Sequence, residues 1–314
     1  MFLLKCPRNN IDCVSPEEDA FFCKCLKILY MKLYKKIVLG IFSIIFLSGI
    51  GIYMYLQVPA DLRTAYAKKE GESTIAQQKG RTLLEQSLKT IDPMSQWQEL
   101  RKQNIQVTLQ HFWYHELLKK FVAPVEKSGQ KVSFLLKPDN DKNLRLTFLD
   151  GQRKGTSWGI QDYKAYKIDK DGIVTWKSDW TTEFNLPSYR FFIFLTFLLS
   201  EAELITYAGT EELRGNSYDL VLATWEKWTP HKNADQYLIW INRETKMVEY
   251  VQGTVRAIVG RSITTLSLSD YQETLGMKIP FSIKAMPDIN IPDEVMHQMK
   301  LIKVEQTEEN IPSY

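Results

Sequence analysis

The sequence predicts an α+β fold, mainly antiparallel β, that follows one transmembrane helix. Three observations predict this class: an uncharged apolar run near the N-terminus, many short β-type runs separated by turn residues, and a few apolar segments with helical spacing. With 44% hydrophobic and 12% aromatic residues, the 314-residue chain can bury a real core. The composition therefore excludes a disordered chain.

Residues 37–57 form the predicted membrane anchor. The run from Ile37 to Leu56 has no charged residue, and a helix of this length spans about 30 Å, the thickness of a bilayer core. Five lysines precede the run within residues 24–36, so the positive-inside rule predicts a cytoplasmic N-terminus. We therefore expect a single-pass protein of the inner (cytoplasmic) membrane, with its C-terminal domain periplasmic or extracellular.

The N-terminal region admits two further interpretations. Val58-Pro59-Ala60 offers small residues to a signal peptidase, although the apolar run is longer than a typical signal sequence. Met31 begins a short basic segment directly before the run, so residues 1–30 are an upstream extension if translation starts there. The predicted organisation is a cytoplasmic segment over residues 1–36, the anchor, a linker over residues 58–80 and a β domain over residues 81–314.

Charge and cysteine placement exclude several function classes. The chain has a formal charge of +3, and residues 61–314 contain 33 basic and 33 acidic residues, so nothing indicates a nucleic-acid partner. Cys6, Cys13, Cys23 and Cys25 all precede the anchor. The main domain therefore has no disulfide and no thiolate for a metal or for catalysis.

The domain is predicted to begin with helical segments around Arg81–Leu88 and Trp97–Arg101, followed by a strand at Ile105–Leu109. Residues 111–126 suit an amphipathic helix or an irregular apolar segment packed on a sheet, and residues 187–206 suit a buried or semi-exposed helix. Turn-bounded β-type runs fill the rest: Val132–Leu136, Leu144–Leu149, Tyr163–Ile168, Ile173–Trp176, Tyr218–Trp225, Tyr237–Ile241, Met247–Val255, Ile263–Tyr271, Lys278–Ile283 and Met299–Val304.

Motifs that could carry catalysis or bind metal are weak. Gly155-x-Ser157-x-Gly159 matches the serine-hydrolase elbow, with His231 or His297 as a partner, but strand and turn residues follow it where that fold needs a helix. His111 and His115 have the spacing of zinc ligands on a helix, but no third ligand is apparent. We expect no enzyme activity, no metal and no cofactor, with a membrane-tethered hydrolase using Ser157 as the remote alternative.

Several segments resemble the LolA/LolB-type lipoprotein-carrier superfamily, over roughly residues 80–312. The resemblance depends on strand and turn residues, including a Gly276-x-x-x-Pro280 strand start, and on these segments: Tyr218–Leu222, Tyr237–Val248, Ser269–Phe281 and Val304–Pro312. It implies a curved half-barrel sheet around a helical lid, with a hydrophobic cavity that holds acyl chains. The retained anchor and the absence of a lipidated cysteine after it favour a stationary domain over a shuttle.

Aromatic residues supply the candidate ligand site. Most aromatic residues on strands belong to a core, but surplus aromatic surface on a curved sheet can also line an apolar cavity. The predicted cavity or lid residues are Phe191, Phe192, Phe194, Phe197, Trp158, Trp176, Trp225 and Trp240. The leading hypothesis is a binding domain for acyl chains, lipid or lipoprotein, and the alternative is a structural or protein-interaction ectodomain without a ligand.

Overall fold

The computed structural model describes residues 38, 41–116, 119, 123–257 and 259–311. The predicted cytoplasmic segment, its cysteines, the proposed start at Met31 and the first residues of the anchor lie outside the described residues. Residues 58–314 form one compact unit, and residues 1–57 form another. Within residues 38–57, a helix covers 41–57 and exposes its large apolar side chains. No helix among the described residues is both long and apolar enough to cross a membrane.

The compact unit contains five helices and thirteen strands among its described residues. The helices are α1 Ala65–Glu70, α2 Thr74–Ile91, α3 Trp97–Leu100, α4 Trp180–Ile193 and α5 Leu195–Ser200. The strands are β1 Ile105–Trp113, β2 Gln130–Lys137, β3 Asn140–Phe148, β4 Ser157–Gln161, β5 Lys164–Ile168, β6 Val174–Trp176, β7 Leu204–Leu213, β8 Asn216–Thr224, β9 Tyr237–Asn242, β10 Val248–Thr254, β11 Ile263–Thr274, β12 Met277–Met286 and β13 His297–Gln306.

All thirteen strands belong to one antiparallel sheet, which confirms the predicted fold class. The strand order is β6-β5-β4-β3-β2-β1-β13-β12-β11-β10-β9-β8-β7, so the last strand pairs with the first and two separate meanders meet there. Strands β6 and β7 are the two edges, and the sheet does not close within the described residues. An open sheet of this size must cover its apolar face with other parts of the chain.

The main core lies between one face of the sheet, here called the inner face, and helices α2, α4 and α5. Alternation along the strands creates this face: Ile279, Phe281 and Ile283 of β12 are all buried in it, as their spacing predicts. Helix α2 contributes Leu83, Leu84 and other residues of one helical stripe.

The opposite face of β7–β9 has a second, smaller core that includes residues upstream of α2. Leu62 and Ala67 pack there against strand residues such as Leu220 and Trp240. Thr64 and Ser73 cap α1 and α2 through their side-chain oxygens. The segment predicted as a flexible linker therefore contains ordered helices. Its helices were not predicted from the sequence because most of its buried residues are alanine or glycine, which give little hydrophobic periodicity.

Two local predictions were wrong. His111–Trp113 extends β1 and is neither helical nor irregular: all three residues pair with β13, and His111 also pairs with β2. The predicted helix over 187–206 ends before β7, whose Leu204–Leu213 strand was not predicted from the sequence. In both cases pairing with neighbouring strands prevails over weak local propensity. Ser157–Gln161 forms β4 in the sheet, in agreement with the strand and turn expected at the G-x-S-x-G motif.

Gly80 allows α2 to approach β7 closely, and we expect Gly80→Ala to destabilise the fold. A Cβ at this position would lie 2.5 Å from the backbone carbon of Thr206, and backbone atoms cannot retreat. The overpacking cost of roughly 1–3 kcal/mol should exceed the gain of about 1 kcal/mol in helix propensity. Urea unfolding measures the change, and Gln78→Ala on the exposed side of α2 is the control. A more stable Gly80→Ala protein would contradict this packing.

Candidate apolar binding site

A continuous row of aromatic rings joins helix α4 to the inner face of the sheet. At one end Trp225, Tyr237, Phe191 and Phe192 are half-buried, and we call these four residues the aromatic patch. Their ring centroids are 6.1 Å apart for Trp225 and Tyr237, 5.2 Å for Tyr237 and Phe191, and 6.2 Å for Phe191 and Phe192. These offset and edge-on arrangements are the favoured geometries of aromatic pairs.

The row continues from the patch into the core through two histidines. The ring of Phe192 lies 6.4 Å from that of His297, and His297 lies 5.0 Å from His111. His111 Nε2 is 3.0 Å from His297 Nδ1, while His111 Nδ1 hydrogen-bonds the hydroxyl of Tyr189 on α4. The row therefore runs from a half-buried apolar surface to a fully buried polar contact between α4 and strand β1.

The titratable groups of the row remain uncharged near neutral pH. Burial lowers the pKa of His111 well below its usual range, and the neighbouring His297 lowers it further. Burial lowers the pKa of His297 to about 4 and raises the pKa of Tyr189 well above its usual range. Trp113 stacks on His297 at 4.6 Å and shields the pair further. The interior of the row is therefore uncharged, although it contains a polar contact.

Local sequence explains how α4 is positioned over this row. Asp179 caps its N-terminus by accepting from the backbone N–H of Thr181, and the same carboxylate forms a 2.6 Å ion pair with Lys167 of β5. The helix contains Pro187, which interrupts its backbone hydrogen bonding. Near its end, Arg190 Nε donates to the carbonyl of Pro138 at 2.7 Å. Polar contacts therefore fix α4 at its start and near its end.

Beneath the helices the core is filled. Phe194 and Phe197 are buried, and their rings lie 5.5 Å and 4.5 Å from that of Trp97. The cavity beside them has a volume of only about 10 Å³, enough for about one water molecule. Small-molecule pockets are usually about 300–1,000 Å³. A ligand entering here must therefore displace side chains or move α4 and α5.

The structure brings some of the predicted site residues together and separates others. Phe191, Phe192 and Trp225 belong to the aromatic patch, and Phe194 and Phe197 lie in the core beside it. The other three are elsewhere: Trp158 is buried under Arg153 and Lys167, Trp176 is 44% exposed on edge strand β6, and Trp240 lies in the second core on the opposite face. The assignment of a ligand to any of them stays a prediction.

The structure does not bring together the residues of the serine-hydrolase site or of the metal site that the sequence motifs suggested. Ser157 Oγ lies 2.8 Å from Thr147 Oγ1 on a paired strand, whereas His297 bonds His111 and His231 lies 3.7 Å from Glu226. Among the described residues, no three His, Cys, Asp or Glu side chains converge as metal ligands.

Four residues of the row were not predicted from the sequence as members of one site: His111, Tyr189, Tyr237 and His297. The available signal was a strand that carries His111 and Trp113 on alternate positions, which places both side chains on one face. On that face His111 hydrogen-bonds Tyr189 and His297, which lie 78 and 186 positions away from it along the chain. No local pattern could connect them.

Comparisons with known proteins concern the fold. Neither a protein-family model nor a curated protein matches the chain. A LolA superfamily protein from Nitrosomonas europaea is similar over 74% of this chain and 94% of its own, with a TM-score of 0.46 and 10% identity. A DUF1329 family protein from Desulfovibrio piger has the same coverage, a TM-score of 0.44 and 10% identity. At these TM-scores the likenesses carry no argument for either fold or function.

We expect acid to destabilise the domain through the histidine pair. In the unfolded chain the pKa of His297 is near 6.5, whereas in the folded chain it is about 4. Because the unfolded state binds more protons between these values, the free energy of unfolding falls as pH drops from about 6.5 to 4, by at most about 3 kcal/mol for this residue.

Urea unfolding at a series of pH values measures this effect. His297→Gln keeps a hydrogen-bonding side chain that does not titrate, so its stability should fall less steeply over the same range. His231→Gln, in a loop outside the row, is the control and should retain the steep wild-type dependence. Identical pH profiles for the wild type and His297→Gln would contradict the assignment.

Proposed function

We propose that this protein is a membrane-anchored, extracytoplasmic binding domain that takes an acyl chain of a lipid or lipoprotein at the aromatic patch. The observation that carries the proposal is the continuity of the row: half-buried rings at the surface lead directly to a large apolar core under α4. Half-exposed aromatic rings at the edge of a core form a pre-built contact surface for an apolar chain.

In this proposal, binding requires helix α4 to move. The cavity beside Phe194 and Phe197 is too small for an acyl chain, so the chain enters by moving Phe191 and Phe192 aside, and both rings stay in contact with it. Burial of each methylene yields about 0.8 kcal/mol relative to water, so a long chain gains enough to offset the displaced packing. Pro187 and the break between α4 and α5 at Phe194 give the helical layer two points where it can bend.

The anchoring part of the proposal is based on residues 37–57. The helix over 41–57 exposes residues such as Phe42, Ile45 and Leu47 by more than 60%, and an exposed apolar surface of this kind suits a lipid environment. The lysines before the run favour export of the compact unit.

A second candidate function has its own support. At the β6 edge of the sheet, a groove of about 640 Å³ includes Tyr163, Trp176 and Lys177 among its lining residues. The open edge of β6 offers unpaired backbone groups, and the exposed rings offer apolar contacts. An ectodomain with a filled core that captures an extended peptide at this edge would use the same fold without binding lipid.

The acyl-chain proposal predicts that Phe191→Ala/Phe192→Ala weakens lipid binding at least tenfold, since each lost ring removes roughly 1.5–3 kcal/mol of apolar contact. The measurement is a fluorescence titration of purified residues 58–314 with a labelled fatty acid, supported by native mass spectrometry for co-purified lipid. Both rings are only half-buried, so the double variant should remain folded.

Ile302→Ala is the matched control because Ile302 is 45% exposed on β13, away from the patch. It should bind like the wild type. Absence of saturable binding by the wild-type domain would refute the proposal and favour the peptide-binding alternative. Equal affinity of the double variant and the wild type would place the ligand elsewhere.

A further inference from the structure

We infer that the end of the sheet carrying the aromatic patch lies on the surface of the bilayer, so that acyl chains enter directly from the membrane. The inference depends on the anchoring part of the proposed function. The relevant surface consists of three loops, residues 225–236, 255–262 and 287–296, which join neighbouring strands between β8 and β13. We call this surface the loop end.

The chain enters the compact unit at the loop end. The backbone N–H of Ala60 donates to the carbonyl of Gly260 at 2.9 Å, and Arg256 Nη2 donates to the carbonyl of Ala60 at 3.2 Å. Two residues on, the backbone N–H of Leu62 donates to Gln236 Oε1 at 3.0 Å. The side chain of Arg256 is only 4% exposed, so this clamp is part of the folded unit.

The clamp limits the distance between the loop end and any bilayer that holds the apolar segment. Three residues of chain from Gln57 to Ala60 can span at most about 11 Å. A membrane in which residues 37–57 are inserted therefore comes within this length of Ala60 and of loop 255–262. The strand ends that carry the aromatic patch belong to the same loop end, since Trp225 and Tyr237 bound loop 225–236.

The composition of the loop end suits a lipid surface. Ile291 in loop 287–296 is 43% exposed, Trp228 in loop 225–236 is half-buried, and Ile263, the first residue of β11 after loop 255–262, is 38% exposed. The three loops contain four basic and five acidic residues, so their charges nearly balance. The short connection to the anchor and the apolar loop tips, not electrostatic attraction, hold this surface at the membrane. The contact should therefore form on zwitterionic and anionic bilayers alike.

This placement gives the acyl chain a physical advantage. Each methylene that passes through water costs about 0.8 kcal/mol. A chain that moves from the bilayer into the patch while the loop end rests on the membrane keeps its methylenes in apolar surroundings, so most of this barrier disappears. In this placement the source of the ligand is the outer leaflet of the membrane that holds the protein.

Hydrogen–deuterium exchange of the full-length chain tests the inference. The protein is compared in phosphatidylcholine nanodiscs and in amphipol, which provides no bilayer. Backbone amides of residues 226–234 and 287–296 should exchange at least about fivefold more slowly in nanodiscs. The hairpin turn at residues 243–247, at the opposite ends of the strands, should exchange equally in both. Unprotected loops, protection of the opposite turn, or protection that requires anionic lipid would overturn the inference.

A charged variant provides a second measurement. Ile263→Glu/Ile291→Glu places one carboxylate directly beside loop 255–262 and one in loop 287–296, and it should abolish the protection in nanodiscs. Ile302→Glu makes the same change at a similarly exposed position on β13 and should leave the protection intact. Loss of protection in both variants, or in neither, would count against a contact made by the loop tips.

The outcomes also separate this inference from the proposed ligand. Acyl-chain binding by residues 58–314 without loop protection in nanodiscs would overturn the placement and leave the binding function standing. Loop protection without any bound lipid would support the placement and refute the ligand. Failure of the full-length chain to enter nanodiscs would overturn the anchoring on which the placement depends.

Discussion

The constraint on which the rest of the structure depends is the coverage of one apolar sheet face. In a closed barrel the strands would bury this face themselves, but here β6 and β7 remain unpaired edges within the described residues. Helices α2, α4 and α5 must therefore supply the missing cover. The close contact of α2 with β7 at Gly80, the capped start of α4 and the break at Phe194 all follow from this requirement.

Helix α4 serves both as cover and as candidate site. Its inward residues, such as Leu186 and Ile193, are fully buried, while Phe191 and Phe192 turn toward the strand ends and remain half-buried. A helix that only closes a core typically carries polar or charged residues on the side turned away from that core. The retained aromatic surface is what makes an apolar ligand the best-supported proposal, even though the core beneath is filled.

The histidine pair shows how a polar contact can sit inside an apolar interior. His111, His297 and Tyr189 satisfy one another through hydrogen bonds, so the cost of burying them is limited. The same contact joins α4 to β1 and β13, the strands at which the two meanders of the sheet meet. A change at this point therefore affects both the helical cover and the centre of the sheet.

The sequence by itself determined the class of fold and most strand positions, because alternation such as Ile279, Phe281, Ile283 records burial directly. It could not determine which face each aromatic residue takes: on β9, Tyr237 joins the aromatic patch, whereas Trp240 lies in the core on the opposite face. Nor could it connect His111 with Tyr189 and His297, or show that Arg256 holds Ala60 at the loop end. Tertiary structure decided these points, since strand register and contacts between distant residues depend on the whole sheet.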